Sequence, residues 1–259
     1  MNTRLISKFL LGTVCTLILV TALQAANPAT TPIERKDKWW QDRHAANVAA
    51  FEKGGIELLL IGDSITHGWD NNPDLYQKYF GQYKPVNLGF NSDQTQHVLW
   101  RLEHLPLDKI QPKVAQIMIG TNNVRGYPPK DIAEGILEIV KKLQKQYPKL
   151  QIIVLNVFPR AENPTDELRQ KVNAVNAELP AVFKGLKNVE IVDISAGFLD
   201  KDGTLQKSLM PDLLHTNKDG KDYWGKAVEP IIKAKFAKYD GGTKKRPRSE
   251  RVRRLFKPL

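Results

Sequence analysis

Cysteine is nearly absent from this chain of 259 residues: the one thiol, Cys15, sits inside an apolar stretch near the N-terminus. A single cysteine forms no internal disulfide and no thiolate metal cluster, so the fold must rest on its core. A chain of this length can do that, because it buries most of its apolar surface. Internal repeats are missing too, and no shift in composition marks a second domain. The charge excess is smaller than it looks. Of the formal +11, residues 244–259 hold +7, from Lys244, Lys245, Arg246, Arg248, Arg251, Arg253, Arg254 and Lys257 against Glu250. Arg4 and Lys8 add +2, and the body between keeps only +2. That excludes a basic groove built for nucleic acid.

The two ends read differently from the body. After Arg4 and Lys8, residues 9–22 are almost wholly apolar, and small residues follow at Ala22, Ala25 and Ala26. This is the pattern of a secretory signal cleaved near Ala25. The alternative is an uncleaved membrane anchor, although the run is short of the roughly 20 residues a span needs. Gly12-Thr13-Val14 before Cys15 is not a lipoprotein signature. Residues 1–25 are therefore expected to be a signal peptide, 26–35 a linker, 36–240 one folded domain and 241–259 a basic tail. The tail reads as a solvated end, or as an attachment to anionic lipid or acidic envelope polymer.

Between the ends, apolar runs and helical stripes alternate. The runs predict strands at 57–61, 86–88, 114–119, 152–157 and 189–194. Helices are predicted at 36–53, 95–105, 130–146, 165–183 and 223–238. Val98, Leu99, Leu102 and Leu105 form one such stripe; Ile132, Ile136, Ile139, Val140 and Leu143 form another. Trp100 and Trp224 read as packing residues. Five strands separated by helices predict a three-layer α/β fold, a flavodoxin-like parallel sheet with helices on both faces. Right-handed crossovers give the strand order 2-1-3-4-5, with a switch point between strands one and three.

Three segments carry chemistry. Gly62-Asp63-Ser64-Ile65-Thr66 follows the first strand, Gly120-Thr121-Asn122-Asn123 follows the third, and Asp212-Leu213-Leu214-His215 lies in the last loop. Singly, each is ordinary loop chemistry. Together they supply a nucleophile, a base and its orienting carboxylate, with an amide at the neighbouring strand end to hold an oxyanion. The predicted topology brings Ser64 and Asn122 to one crevice.

These residues resemble the SGNH or GDSL-type serine esterases, most of all the catalytic subunits of intracellular platelet-activating-factor acetylhydrolase. The likeness spans residues 58 to about 232. It runs through Asn87-Leu88-Gly89, His97-Val98-Leu99-Trp100-Arg101-Leu102, Gly120 to Asn123, Ile153-Val154-Leu155, Leu168-Arg169-Gln170-Lys171 and Asp212 to His215. The resemblance implies Ser64 as nucleophile, His215 as base and Asp212 as its carboxylate. It implies an oxyanion hole of the Ser64 N–H, a second-loop N–H and the Asn122 side chain. In the family a glycine precedes the second-loop aspartate. Here that aspartate is Asp93, so the donor position is Ser92 and not Gly89. If that position needs a positive φ, serine costs roughly 1 kcal/mol there. Asn123 stands where many members have aspartate.

The roles require neither a metal nor an organic cofactor. Ile65, Thr121 and Leu214 flank the key residues and are expected to line an acyl pocket sized for acetyl. The expected function is an exported esterase removing short acyl groups, most plausibly acetyl, from a small-molecule or glycan ester. A phospholipid or lysophospholipid esterase is the second reading. A flavodoxin-like binding module without catalysis is the third, although it would not need Ser64, Asp212 and His215 together. The sequence names neither the alcohol half of the ester nor an oligomeric state.

Overall fold

The computed structural model describes residues 26–243, so the expected signal peptide and residues 244–259 of the expected tail lie outside the described residues. Five parallel strands form one sheet in the order β2-β1-β3-β4-β5. They are β1 (Leu58–Gly62), β2 (Pro85–Gly89), β3 (Val114–Met118), β4 (Gln151–Leu155) and β5 (Val189–Val192). The helices are α1 (Lys38–Lys53), α2 (Ser64–His67), α3 (Pro73–Phe80), α4 (Thr95–His104), α5 (Pro129–Gln146), α6 (Glu167–Val182) and α7 (Lys218–Thr243).

The strands are mostly apolar because the sheet is covered on both faces, and their side chains alternate between two cores. Leu59, Ile61, Ala115, Ile117, Ile152 and Val154 join the stripes of α4 and α5, with Val172 and Val175 of α6. Leu58, Leu60, Val114, Met118, Ile153 and Leu155 pack against Phe80 of α3 and Trp224, Val228 and Ile232 of α7. Trp224 is fully buried, and Trp100 is half-buried against Trp40 and His104.

Three elements differ from the sequence expectation. Residues 26–35 are not a free linker. Asn27 donates to the Asp131 carbonyl and the Glu134 carboxylate on α5, Ala29 is fully buried, and its carbonyl accepts from Thr95 Oγ1. The last helix runs to Thr243, past Gly241. Helix α3 was not expected. Its Asn71-Asn72-Pro73 start reads as a loop, yet Pro73 occupies a first-turn position where its missing N–H costs nothing. Leu75, Tyr79 and Phe80 then give it a buried face.

Two strand-end glycines set the height of α2 above the sheet. A Cβ on Gly89 would lie 2.1 Å from the His67 nitrogen, and one on Gly62 would lie 2.2 Å from Thr66 Oγ1 and 2.5 Å from the Met118 carbonyl. Gly62 is in register with Gly89 on one side and Met118 on the other. The carboxyl ends of β2, β1 and β3 are thus level, and the chain leaves all three toward the same crevice.

Candidate active site

Ser64 is the first residue of α2, immediately after β1. Asp63 caps that helix, its carboxylate accepting from the Ile65 N–H at 3.0 Å. The Asp63 side chain is fully buried, and burial pushes its carboxyl up to about 7, with the nearby Asp93 charge adding to the effect. Across 151 residues of sequence, Ser64 Oγ lies 2.7 Å from His215 Nε2. His215 Nδ1 lies 2.6 Å from Asp212 Oδ2, while Asp212 Oδ1 accepts from the backbone N–H groups of His215 (2.7 Å) and Leu214 (3.1 Å). Partial burial raises the Asp212 carboxyl, but the His215 ring bond and these N–H donors outweigh it and hold it below the usual range. An ionised Asp212 places the proton on Nδ1, leaving Nε2 free to accept from Ser64.

Two loops complete the crevice. Ser92 in the β2–α4 turn has φ +62°, the left-handed region expected of a glycine position. Among the described residues no acceptor takes the Ser92 N–H, and the Ser64 N–H at the helix start is likewise unclaimed. Asn122 follows β3 and donates one amide N–H to the Asp93 carbonyl at 2.9 Å. Its second N–H is left over. Asn123 fastens the same loops from beneath: its Oδ1 accepts from the Thr95 N–H, and its Nδ2 donates to Gln96 Oε1. The asparagine found where an acid is common is therefore a clamp between loops.

Ser64, Ser92, Asn122 and His215 line one crevice of about 680 Å³. Ile65 and Leu214 are the only apolar residues among those that line it; Leu214 is half-buried and Ile65 is 1% exposed. Thr121 does not line it. It is fully buried, and both its carbonyl and its hydroxyl accept from Arg160 Nη1, at 2.9 and 3.2 Å. A left-handed Gly120 (φ +129°) precedes it. Thr121 is thus removed from the expected acyl pocket. Sequence reasoning also missed His67, Gly68, Asn71, Asn72, Asn91, Thr216, Asn217 and Lys221, which supply the rest of the wall. His67 lies one helical turn beyond Ser64, which is a usable signal; the others sit in loops or look like surface residues.

A serine with its proton acceptor and three unspent donors at one sheet edge define a hydrolase of the acyl-transfer type. Residues 60–223 match the GDSL-like Lipase/Acylhydrolase family, and the chain belongs to it. It is 35% identical to subunit alpha2 of platelet-activating factor acetylhydrolase IB from Gallus gallus over 195 residues, covering 73% of this chain and 83% of that one. Subunit alpha1 from Bos taurus is 33% identical over 198 residues, covering 75% and 84%. Two solved structures share the fold. One is a GDSL-like lipase from Bacteroides thetaiotaomicron, with TM-score 0.61 and 21% identity, covering 74% of this chain and 97% of that one. The other is an acetylxylan esterase from Geobacillus stearothermophilus, with TM-score 0.56 and 22% identity, covering 69% and 94%.

Two outcomes follow from this geometry. Ser92→Gly should leave kcat within about twofold, because the unclaimed backbone N–H survives the change. Its effect on stability should stay within about 1 kcal/mol, since relief of the left-handed strain is offset by a freer unfolded chain. A tenfold fall in kcat would transfer the role to the hydroxyl. The second outcome concerns Asp63. The unfolded carboxyl ionises near 3.8, whereas the folded one keeps its proton to about 7. Between about pH 4 and 7 the unfolded chain therefore binds fewer protons, so this group makes stability fall as pH rises, by at most about 1.4 kcal/mol per pH unit. Asp63→Asn keeps the cap acceptor and should remove that slope in urea titrations across the range. Parallel pH profiles for the two proteins would contradict it.

Proposed function

We propose that this esterase removes acetyl groups from O-acetylated carbohydrate, and that it acts after export. The export reading rests on the composition of residues 1–25. The substrate reading rests on the crevice wall. The only apolar residues on it, Leu214 and the nearly buried Ile65, suffice for one short acyl group, while amides, two imidazoles, hydroxyls and an ammonium supply the rest. A long acyl chain would leave its methylenes against polar groups and forfeit about 0.8 kcal/mol for each one not buried. Beside this wall, the partly exposed Trp39 lies nearly parallel to the crevice-lining His67, at 6.1 Å and 10°. An exposed ring next to amide donors suits a sugar's apolar face and hydroxyl rim. The acetylxylan esterase of similar fold is consistent with this substrate class.

In the mechanism, His215 Nε2 takes the Ser64 Oγ proton and Oγ attacks the ester carbonyl carbon. The developing oxyanion accepts from the Ser64 and Ser92 N–H groups and from Asn122 Nδ2. His215 then gives its proton to the departing alcohol oxygen, leaving acetyl on Ser64. Water attacks this acyl-serine, His215 takes the water's proton and returns it to Oγ, and acetate leaves. Asp212 holds the ring and offsets its charge in both halves.

A lipid reading keeps the same chemistry and follows the relatives named platelet-activating factor acetylhydrolase. The deciding measurement is kcat/KM on acetylated xylo-oligosaccharide, an acetyl glycerophospholipid and aryl esters from acetyl to octanoyl. A preference for the acetylated sugar and a steady decline with acyl length are expected. A maximum at octanoyl, or at the phospholipid, would replace the carbohydrate reading. Ser64→Ala should abolish turnover with the fold unchanged, and Asn122→Ala should lower kcat by about 10²–10³. Wild-type turnover by pure Ser64→Ala protein would refute the serine mechanism; a change confined to KM would make Asn122 a binding residue.

A further inference from the structure

Lys221 is a buried lysine in the wall of the crevice that the mechanism does not use. It is 2% exposed, on the first turn of α7, and its Nζ donates to the Thr216 hydroxyl (2.8 Å) and carbonyl (3.1 Å). An ammonium has three N–H donors, so one is unspent. Among the described residues no carboxylate lies within 4.0 Å of it, in contrast to Lys78 and Lys226, which pair with Asp222, and Lys113, which pairs with Glu57 and Asp240. Burial alone lowers it to about 8, with no compensating charge. The Trp69 ring at 5.7 Å covers one side. An unpaired buried cation is costly, and most sites avoid it.

Gly68 shows where the missing partner can enter. Its backbone is ordinary right-handed helix (φ −56°, ψ −8°), which any residue adopts, so the conformation does not call for glycine. A Cβ there would stand 3.0 Å from Lys221 Nζ and 3.5 Å from Cε. Gly68 and Thr216 line the crevice together with Ser64 and His215. The absent side chain leaves a gap between the crevice and the ammonium.

We propose that Lys221 is an anion subsite, binding a carboxylate or phosphate on the alcohol half of the ester through the gap at Gly68. The alcohol half is indicated because the apolar pair Ile65 and Leu214 serves the acyl side. This deepens the acetyl-ester reading and rests on it. For a glycan the anion is a sugar carboxylate; for a lipid it is the headgroup phosphate.

The test compares matched substrates that differ by one charge: an O-acetylated glucuronoside with its methyl ester, and acetylglycerol phosphate with acetylglycerol. Wild-type enzyme should favour the anionic member of at least one pair by tenfold or more in kcat/KM, chiefly through KM. The pair with the larger ratio identifies the anion as carboxylate or phosphate. Lys221→Met should abolish that ratio, and Lys221→Arg should keep part of it. Equal wild-type rates within both pairs would overturn the subsite, whatever the variants do. An equal loss by Lys221→Met on charged and neutral esters, with a lowered melting temperature, would assign Lys221 to structure alone. Failure of the underlying reading looks different: no member of either pair would then be hydrolysed in a Ser64-dependent way.

Discussion

The Asp93 carboxylate is the constraint on which the crevice depends. It is fully buried and accepts from Trp40 Nε1 (2.8 Å), from Arg101 Nε (2.9 Å) and, more weakly, from Arg35 Nη1 (3.4 Å). Trp40 comes from α1 and Arg101 from α4, so one anion joins the N-terminal helix, the helix after β2 and the turn that carries Ser92. Its carbonyl also receives the Asn122 amide. Removing one member of a buried ion pair strands the other, at about 3–5 kcal/mol. That is ample to hold a non-glycine residue such as Ser92 in a left-handed conformation. Arg35 and Trp40 lie before residue 60, where the family match begins, yet they fix a turn inside it. Arg35 also donates to the Asn91 carbonyl, one residue from Ser92.

What the sequence made legible follows physical range. The five strands were visible because a sheet covered on both faces demands mostly apolar runs, and the order 2-1-3-4-5 followed from handedness. Ser64, Asn122 and His215 were then brought together by topology, and Ser92 by register against Asp93. The misses have different causes. Thr121 is adjacent to Asn122, but a left-handed Gly120 precedes it and a buried arginine claims its polar atoms, neither of which sequence adjacency can report. Lys221 resembles every other lysine on an amphipathic helix until its neighbours are known. Helix α3 was hidden by a start that has the composition of a loop. Residues 26–35 lack periodicity, and they are fixed by side-chain bonds to α5 and α4 instead.

The last loop solves a separate problem. Asp212 and His215 are 57% and 42% exposed, so water screens the attraction between them. Their geometry must therefore come from the backbone. A carboxylate three residues ahead of a histidine can use one oxygen on the N–H groups of residues 214 and 215 and keep the other for the ring, which makes the two side chains one rigid unit. Closing so tight a loop puts Leu213 at φ +61°. That strain persists only because neighbours over-determine it. The Leu213 N–H donates to the Met210 carbonyl, and its carbonyl accepts from the Ala161 N–H. Arg169 in turn binds the carbonyls of Arg160 and Ala161. Ser92 in the crevice wall and Leu213 next to the wall residue Leu214 are both held left-handed through neighbours that buried arginines fasten. The two loops that carry the site are thus each tied to a cation in the protein interior.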